Sequence, residues 1–207
     1  MKFKKDKKVQ IGMNKHLLKA IDSIHDNITH DAATPASSYL FSVRESLPKL
    51  SEEKADNFHS VVAMLLFISR RCRLDIQTAV GFLTTRVSCP DLDDWNKLKR
   101  LLQYLRGIID LVLTLGVDDL LSMCTWVDVS YRVHSDCKSH TGGAISWGWG
   151  VLLTMCKKKK LNTKSSTEGE IVGVSNFLPN IIWACMFMEA QGVSWKVIHY
   201  TRIIRVL

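Results

Sequence analysis

Three pieces within residues 125–170 decide how this chain reads: TWVDVSYRVHSD (125–136), SHTGGAISWGWGVLLTMCKKKK (139–160) and KSSTEGE (164–170). The first is an apolar run with Asp128 inside it. The second is punctuated by glycine and aromatic residues and reads as two short strands, AISWGWG and VLLTMC, joined by a tight glycine turn, with SHTGG as the turn that enters the hairpin. In the third, Ser165-x-x-Glu168 and Thr167-x-x-Glu170 both fit a capping box, so a helix starts here. A carboxylate on a strand and another on the first turn of a nearby helix can hold a divalent cation between them, which is one route to cutting phosphodiester bonds. The plainer reading is a polar sheet-edge residue, and two acids that serve the helix N-terminus.

Downstream, the helix continues through Ile171, Val172 and Val174, Pro179 is expected to break or kink it, and LPNIIWACMFMEAQG reads as its second half, closed by Gly192. WKVIHYTRIIRVL (195–207) reads as a last strand. Upstream, the pattern is helical. Leu17, Leu18, Ile21 and Ile24 have helical spacing. Ser51 caps a run whose Phe58, Val61, Val62, Leu65, Leu66 and Ile68 form one broad apolar face, with acids in the first turn to suit the helix dipole. Asp75 opens a second run that ends before Cys89-Pro90. Asp91 opens a third, in which Trp95, Leu98, Leu101, Leu102 and Leu105 share a face and Gly107 is the stop. Between helices and hairpin, IDLVLTL (109–115) and LLSMCTWVDVS (120–130) read as strands. Helices come first and strands later, which gives an α+β class.

The composition is that of a folded protein of 207 residues, with 46% hydrophobic and 23% charged residues, and disorder is excluded. The net charge of +8 suits a polyanionic partner, nucleic acid above all, though a merely basic globular protein has the same balance. Five of the first eight residues are lysines, and Lys157, Lys158, Lys159 and Lys160 form a run. Those four, with Lys99 and Arg100 off the apolar face of the third helix, are the candidates for phosphate contact; a solvated surface is the alternative. The six cysteines form no CxxC pair and no zinc-type spacing, and read as reduced thiols of an intracellular, cytoplasmic or nuclear protein. No stretch reads as the roughly 18–20 apolar residues that span a bilayer, so no membrane partner is expected. Trp147 and Trp149, two apart, are expected on one face of a strand, in packing or against a base. His140 beside serines is not read as part of a nucleophilic triad, and His134 is read as structural.

From about residue 14 to 200 the chain resembles the Ty1/copia-type retrotransposon polyproteins. SHTGGAISWGWG followed by LNTKSSTEGEIVGVS is similar to their ribonuclease H region. The preceding segment resembles their R-P-D-I-x-x-A-V block, tryptophan and K-R-x-x-x-Y-L-x-G, carried here by Arg73, Asp75, Ile76, Ala79, Val80, Trp95, Lys99, Arg100, Tyr104, Leu105 and Gly107, with Leu74 in the place of the proline.

That resemblance implies a basic lead-in (1–13), a helical reverse-transcriptase tail of thumb or connection type (14–107), a connecting strand and turn (108–121), and a truncated ribonuclease H-like mixed sheet with a central helix (122–207). It implies an ancestral metal-dependent cleavage of RNA in RNA–DNA hybrids, with Asp128 and Glu170 as catalytic carboxylates and ligands of Mg²⁺ or Mn²⁺, and Asp136 a candidate third. Glu168 is then the capping neighbour, and Ser130 stands where many such sequences have a second acid. A further aspartate is expected in a Y-x-D-N block, but HYTRIIRVL offers Tyr200 and then Arg202, a cation that would repel the metal. A Y-x-D-D polymerase block is absent. The expectation is a fragment of such a polyprotein, impaired in catalysis. The alternatives are a non-catalytic module that binds hybrid or duplex, and an unfunctional translated remnant.

Overall fold

The structure is a computed structural model. It describes residues 1–202 apart from His25, Glu45, Leu120 and residues 194–196, and of residues 197–202 it describes the backbone. The chain forms two compact units, residues 11–113 and residues 1–10 together with 114 onward. The class is mixed α+β.

The first unit is helical: α1 (Asn14–Asp22), α2 (Glu52–Arg71), a 3-10 turn (Leu74–Ile76), α3 (Gln77–Thr84) and α4 (Leu92–Gly107). The apolar periodicity becomes the core directly. Phe58, Val61, Val62, Leu65 and Ile68 of α2 and Leu98, Leu101, Leu102 and Leu105 of α4 are all buried in one cluster. α4 begins with a true capping box, Asp94 N–H donating to Asp91 Oδ1 at 2.9 Å and Asp91 N–H to Asp94 Oδ2 at 3.1 Å. Arg86 holds both carboxylates from outside, at 3.1 and 2.9 Å.

The motif residues of this unit meet around one buried guanidinium. Arg73, 1% exposed, donates in bidentate fashion to Asp75 at 3.0 and 2.7 Å and also reaches the Ile108 carbonyl at 3.3 Å. Tyr104 Oη donates to Asp75 at 3.0 Å. The start of α3 and the end of α4 are thus tied through one charge pair. Removing Asp75 would leave the buried Arg73 guanidinium without its charge partner, whereas Asp75 itself is exposed to water.

In the second unit β1 (Lys2–Phe3), β2 (Val9–Ile11) and β3 (Leu113–Leu115) form a small sheet in that order. The expected strand over 109–115 is therefore shortened. Its first half forms a turn, closed by Leu111 N–H donating to Ile108 C=O at 3.1 Å. The main sheet has the order β6-β5-β4-β7, from β4 (Ser122–Ser130), β5 (His140–Ser146), β6 (Leu153–Lys158) and β7 (Val197–Arg202). The β6–β5 and β5–β4 pairs are antiparallel, and β4–β7 is parallel. The chain leaves one edge at β6 and returns at the other edge as β7, so α5 (Ser166–Ala190) must cross the sheet. It does so on the face that presents Met123, Val127 and Ile145, which join Phe177, Ile181 and Ala184 in a small buried core.

Four sequence expectations are corrected here. SHTGG is not a turn: β5 starts at His140, and Gly142 and Gly143 lie inside the strand. A Cβ at Gly143 would come within 2.6 Å of the Phe177 ring, and one at Gly173 within 2.5 Å of Val129 Cγ2, so these glycines are there to let helix and sheet approach. Trp147 and Trp149 do not share a strand face, because β5 ends at Ser146. Trp147 packs in the core and Trp149 lies exposed in the turn, where Gly148 and Gly150 have φ of 138° and 77°. Pro179 does not break α5; it and Ser175, whose carbonyl loses its amide donor, are both exposed, so water can take the freed acceptor. Finally, α5 is long and apolar enough to cross a membrane by length and composition, contrary to the reading that no stretch is. Its inner face is used in the core; Ile171, Leu178, Ile182, Trp183, Met186 and Phe187 on its outer side are exposed.

The close approach predicts strong coupling. Phe177→Ala should cost about 3–5 kcal/mol and Gly143→Ala about 1–3 kcal/mol. In the Phe177→Ala background the second change should cost at least about 1 kcal/mol less, since the ring it collides with is gone. A double-mutant cycle in urea measures this; additive costs would contradict the packing.

Candidate functional site

β4 is the strand from which the candidate site is built. Val127 belongs to the core beneath α5 and Val129 lies against Gly173, so strand alternation turns Asp128 to the opposite face. There it stands opposite Gly142, which in turn stands opposite Cys156, so that Asp128, Gly142 and Cys156 make one row across three strands. Glu170 comes from the first turn of α5, beside the buried Gly169, and its Oε2 is buried. Residue 202, where the family pattern would place an aspartate, is register-paired with Val127. The side chain of Arg202 and residues 203–207 lie outside the described residues.

Ser165 caps α5 as expected, its Oγ accepting from Glu168 N–H at 3.1 Å. Glu168 reaches back to accept from Lys164 N–H at 2.7 Å, so it serves the helix start. Asp136, the third candidate ligand, faces Lys158 at 2.9 Å and Lys138 at 3.2 Å. Desolvation alone would raise its pKa, but hydrogen bonds and charge from these two lysines outweigh it and hold the carboxyl at about 2. Among the described residues there is no group of three His, Cys, Asp or Glu side chains that could hold a metal ion. Asp128 stands on the sheet face turned away from α5, whereas Glu170 belongs to α5 itself.

The basic candidates separate into four kinds. Lys99 pairs with Asp26 at 3.3 Å and Arg100 donates to Thr34 at 2.9 Å, so both hold the 26–34 loop. Lys158 is engaged with Asp136. Lys159 is buried, donates to the Gly169 carbonyl, and has its pKa lowered by that burial. Lys157 and Lys160 are exposed and make no ion pair among the described residues. They stand at the mouth of a cavity of about 540 Å³ on the α5 side of β6.

One arrangement went unseen in the sequence. His134 Nε2 lies 3.1 Å from His140 Nδ1, and His140 Nε2 lies 3.0 Å from Cys156 Sγ. The three bind in a line rather than around a common point, and they tie the 131–139 loop to β5 and β6. Burial pushes both imidazoles down to about 4, assisted for His134 by Lys158 and for His140 by His134. Both are therefore neutral near pH 7. No spacing rule could have found this cluster, because it depends on strand register.

With the geometry in place, the chain can be compared with known proteins. It is 25% identical over 195 residues, 92% of its length, to the retrovirus-related Pol polyprotein from transposon TNT 1-94 of Nicotiana tabacum. It is 30% identical over 138 residues to the Pol polyprotein from transposon RE2 of Arabidopsis thaliana, and 28% over 137 residues to that from RE1. The chain is related to the Pol polyproteins of copia-type transposons. It spans 15% of the length of the tobacco relative and 9% of each Arabidopsis relative. No family model matches it, and neither does any solved structure.

The buried histidines make stability depend on pH in a defined direction. Their folded pKa of about 4 lies below the ordinary histidine value of 6.5, so the unfolded chain takes up protons first as pH falls. The contribution is complete above pH 6.5 and is lost between 6.5 and 4, amounting to at most about 3 kcal/mol for each histidine. Urea unfolding at pH 7, 5.5 and 4.5 should show this slope, and His134→Asn/His140→Gln should flatten it.

Proposed function

We propose that this chain is a copia-type Pol segment in which a reverse-transcriptase tail precedes a ribonuclease H-like unit that binds nucleic acid without cutting it. One observation carries the second unit's assignment. The order β6-β5-β4-β7, antiparallel on one side of β4 and parallel on the other, with a helix crossing between the edge strands, supports the mixed sheet with a central helix that the resemblance implies. β4, which carries Asp128, is the inner strand where the two pairing senses meet.

The loss of cleavage is supported by the placement of the acids. Two-metal hydrolysis needs several carboxylates converging on one site. Asp128 stands on the sheet face turned away from α5, Glu170 belongs to α5 itself, Asp136 faces two lysines, and the sequence has arginine at 202. These residues do not fit a two-metal centre, and no metal-dependent step is assigned to them. Binding is supported by the net charge of +8 and by Lys157 and Lys160 standing exposed beside a cavity.

An RNA–DNA hybrid should bind in a salt-dependent way and remain uncut in Mg²⁺ or Mn²⁺. Lys157→Ala/Lys160→Ala should reduce the salt slope by about 1–2 and weaken binding for all sequences alike. Turnover that disappears in Asp128→Asn would overturn the non-cutting reading. Absence of any hybrid binding at low salt would overturn the binding one.

The exposed apolar side of α5 favours a second reading, an unfunctional remnant whose small core is covered on one side only. A tight module should bind the dye ANS weakly and protect the amides of β4 and β5 from exchange. Strong dye binding with unprotected β4 amides would select the remnant.

A further inference from the structure

The cavity beside β6 has a specific chemical character. Met155 of β6, Leu161 of the following turn and Val172 of α5 give it apolar walls. Lys157 and Lys160 stand at its mouth, and Asn176 of α5 is a further polar lining residue. Thr141, 2% exposed, also lines it, and its Oγ1 is buried with no hydrogen-bond partner. That hydroxyl has almost no exposed surface and lies beside Gly173, so the polar groups a ligand can reach are those of Lys157, Lys160 and Asn176. The volume of about 540 Å³ lies in the usual range for small-ligand sites, which combine apolar walls with few polar groups.

We propose that this cavity takes one nucleotide unit of the bound strand, with its phosphate at Lys157 and Lys160. Met155, Leu161 and Val172 pack on the sugar and base. This rests on the nucleic-acid-binding reading and names the part of the surface that contacts a single residue of the strand. Lys159 does not face the phosphate, because its ammonium is held by the Gly169 carbonyl; its role is to fix the turn that positions Lys160 and Leu161. Lys158 is drawn towards Asp136 and contributes only to the lining. The site is thus built by the two outer members of the lysine run, while the two inner ones are engaged elsewhere.

The experiment uses the full chain and adenosine 5′-monophosphate, adenosine and inorganic phosphate as separate probes, followed by amide chemical-shift titration. The monophosphate should shift amides of residues 141, 155–161 and 172–176, with a Kd at or below about 1 mM. Adenosine and phosphate alone should bind at least about tenfold more weakly. Lys157→Ala/Lys160→Ala should abolish saturation. Absence of shifts at about 10 mM monophosphate, or equal binding by the double-lysine variant, would sink the proposal. Hybrid binding that persists without monophosphate binding would reject the cavity alone. Monophosphate binding without hybrid binding would reject the strand-binding surface and leave the cavity as a small-molecule site.

Discussion

The contact between α5 and the sheet is the constraint on which the second unit depends. Phe177 lies over Gly143, and Val129 lies under Gly173, at distances that leave no room for a methyl group on either glycine. The buried core of this unit is small, so the close approach is what makes its dispersion contacts sufficient. It also fixes the rest. With α5 seated over Val127 and Ile145, the odd residues of β4 and β5 turn inward and Asp128, His140 and Gly142 turn away. The same seating sets Val172 and Asn176 beside Met155 and so creates the cavity. Catalytic geometry, histidine cluster and candidate nucleotide site all follow from which strand face the helix covers.

This explains why the helical part of the chain was far more legible than the sheet. Apolar residues in α2 and α4 recur at a single period over many turns, and each repeats the same message. Capping chemistry then marks the ends, as Asp91 and Asp94 do. The sheet offers shorter and more ambiguous signals. Gly142-Gly143 has the composition of a turn, but its glycines answer to Phe177 and to open space, which only the fold reveals. The apolar run 109–115 is long enough for a strand, yet a local turn takes its first half. Pro179 reads as a break because the rule concerns a lost hydrogen bond; an exposed acceptor makes that loss cheap.

The charged residues show a different limit. A run of four lysines looks uniform in sequence, and only their placement along β6 and the turn after it separates them. Lys158 goes to Asp136, Lys159 to a helix carbonyl, and Lys157 and Lys160 stay exposed. Lys99 and Arg100, which seemed to have only nucleic acid or water to meet, hold residues 26 and 34 of their own unit. Motif resemblance was a better guide than charge. Arg73 and Asp75 lie about thirty residues before Tyr104 and the three converge around the buried Arg73 guanidinium, so the pattern they form has a packing reason.

The same logic bears on the acids. Asp128 and Glu170 can each match a family position while no shared ligand set forms, because a motif specifies residue types and the sheet specifies directions. A strand residue one step away would face α5, as Val127 and Val129 do, and a carboxylate there would have to be desolvated against Phe177 and Gly173. Placing Asp128 on the uncovered face avoids that cost. On that face its row neighbours are Gly142 and Cys156, not another acid. A single carboxylate is cheap for the fold there, and two-metal hydrolysis would need further acids beside it.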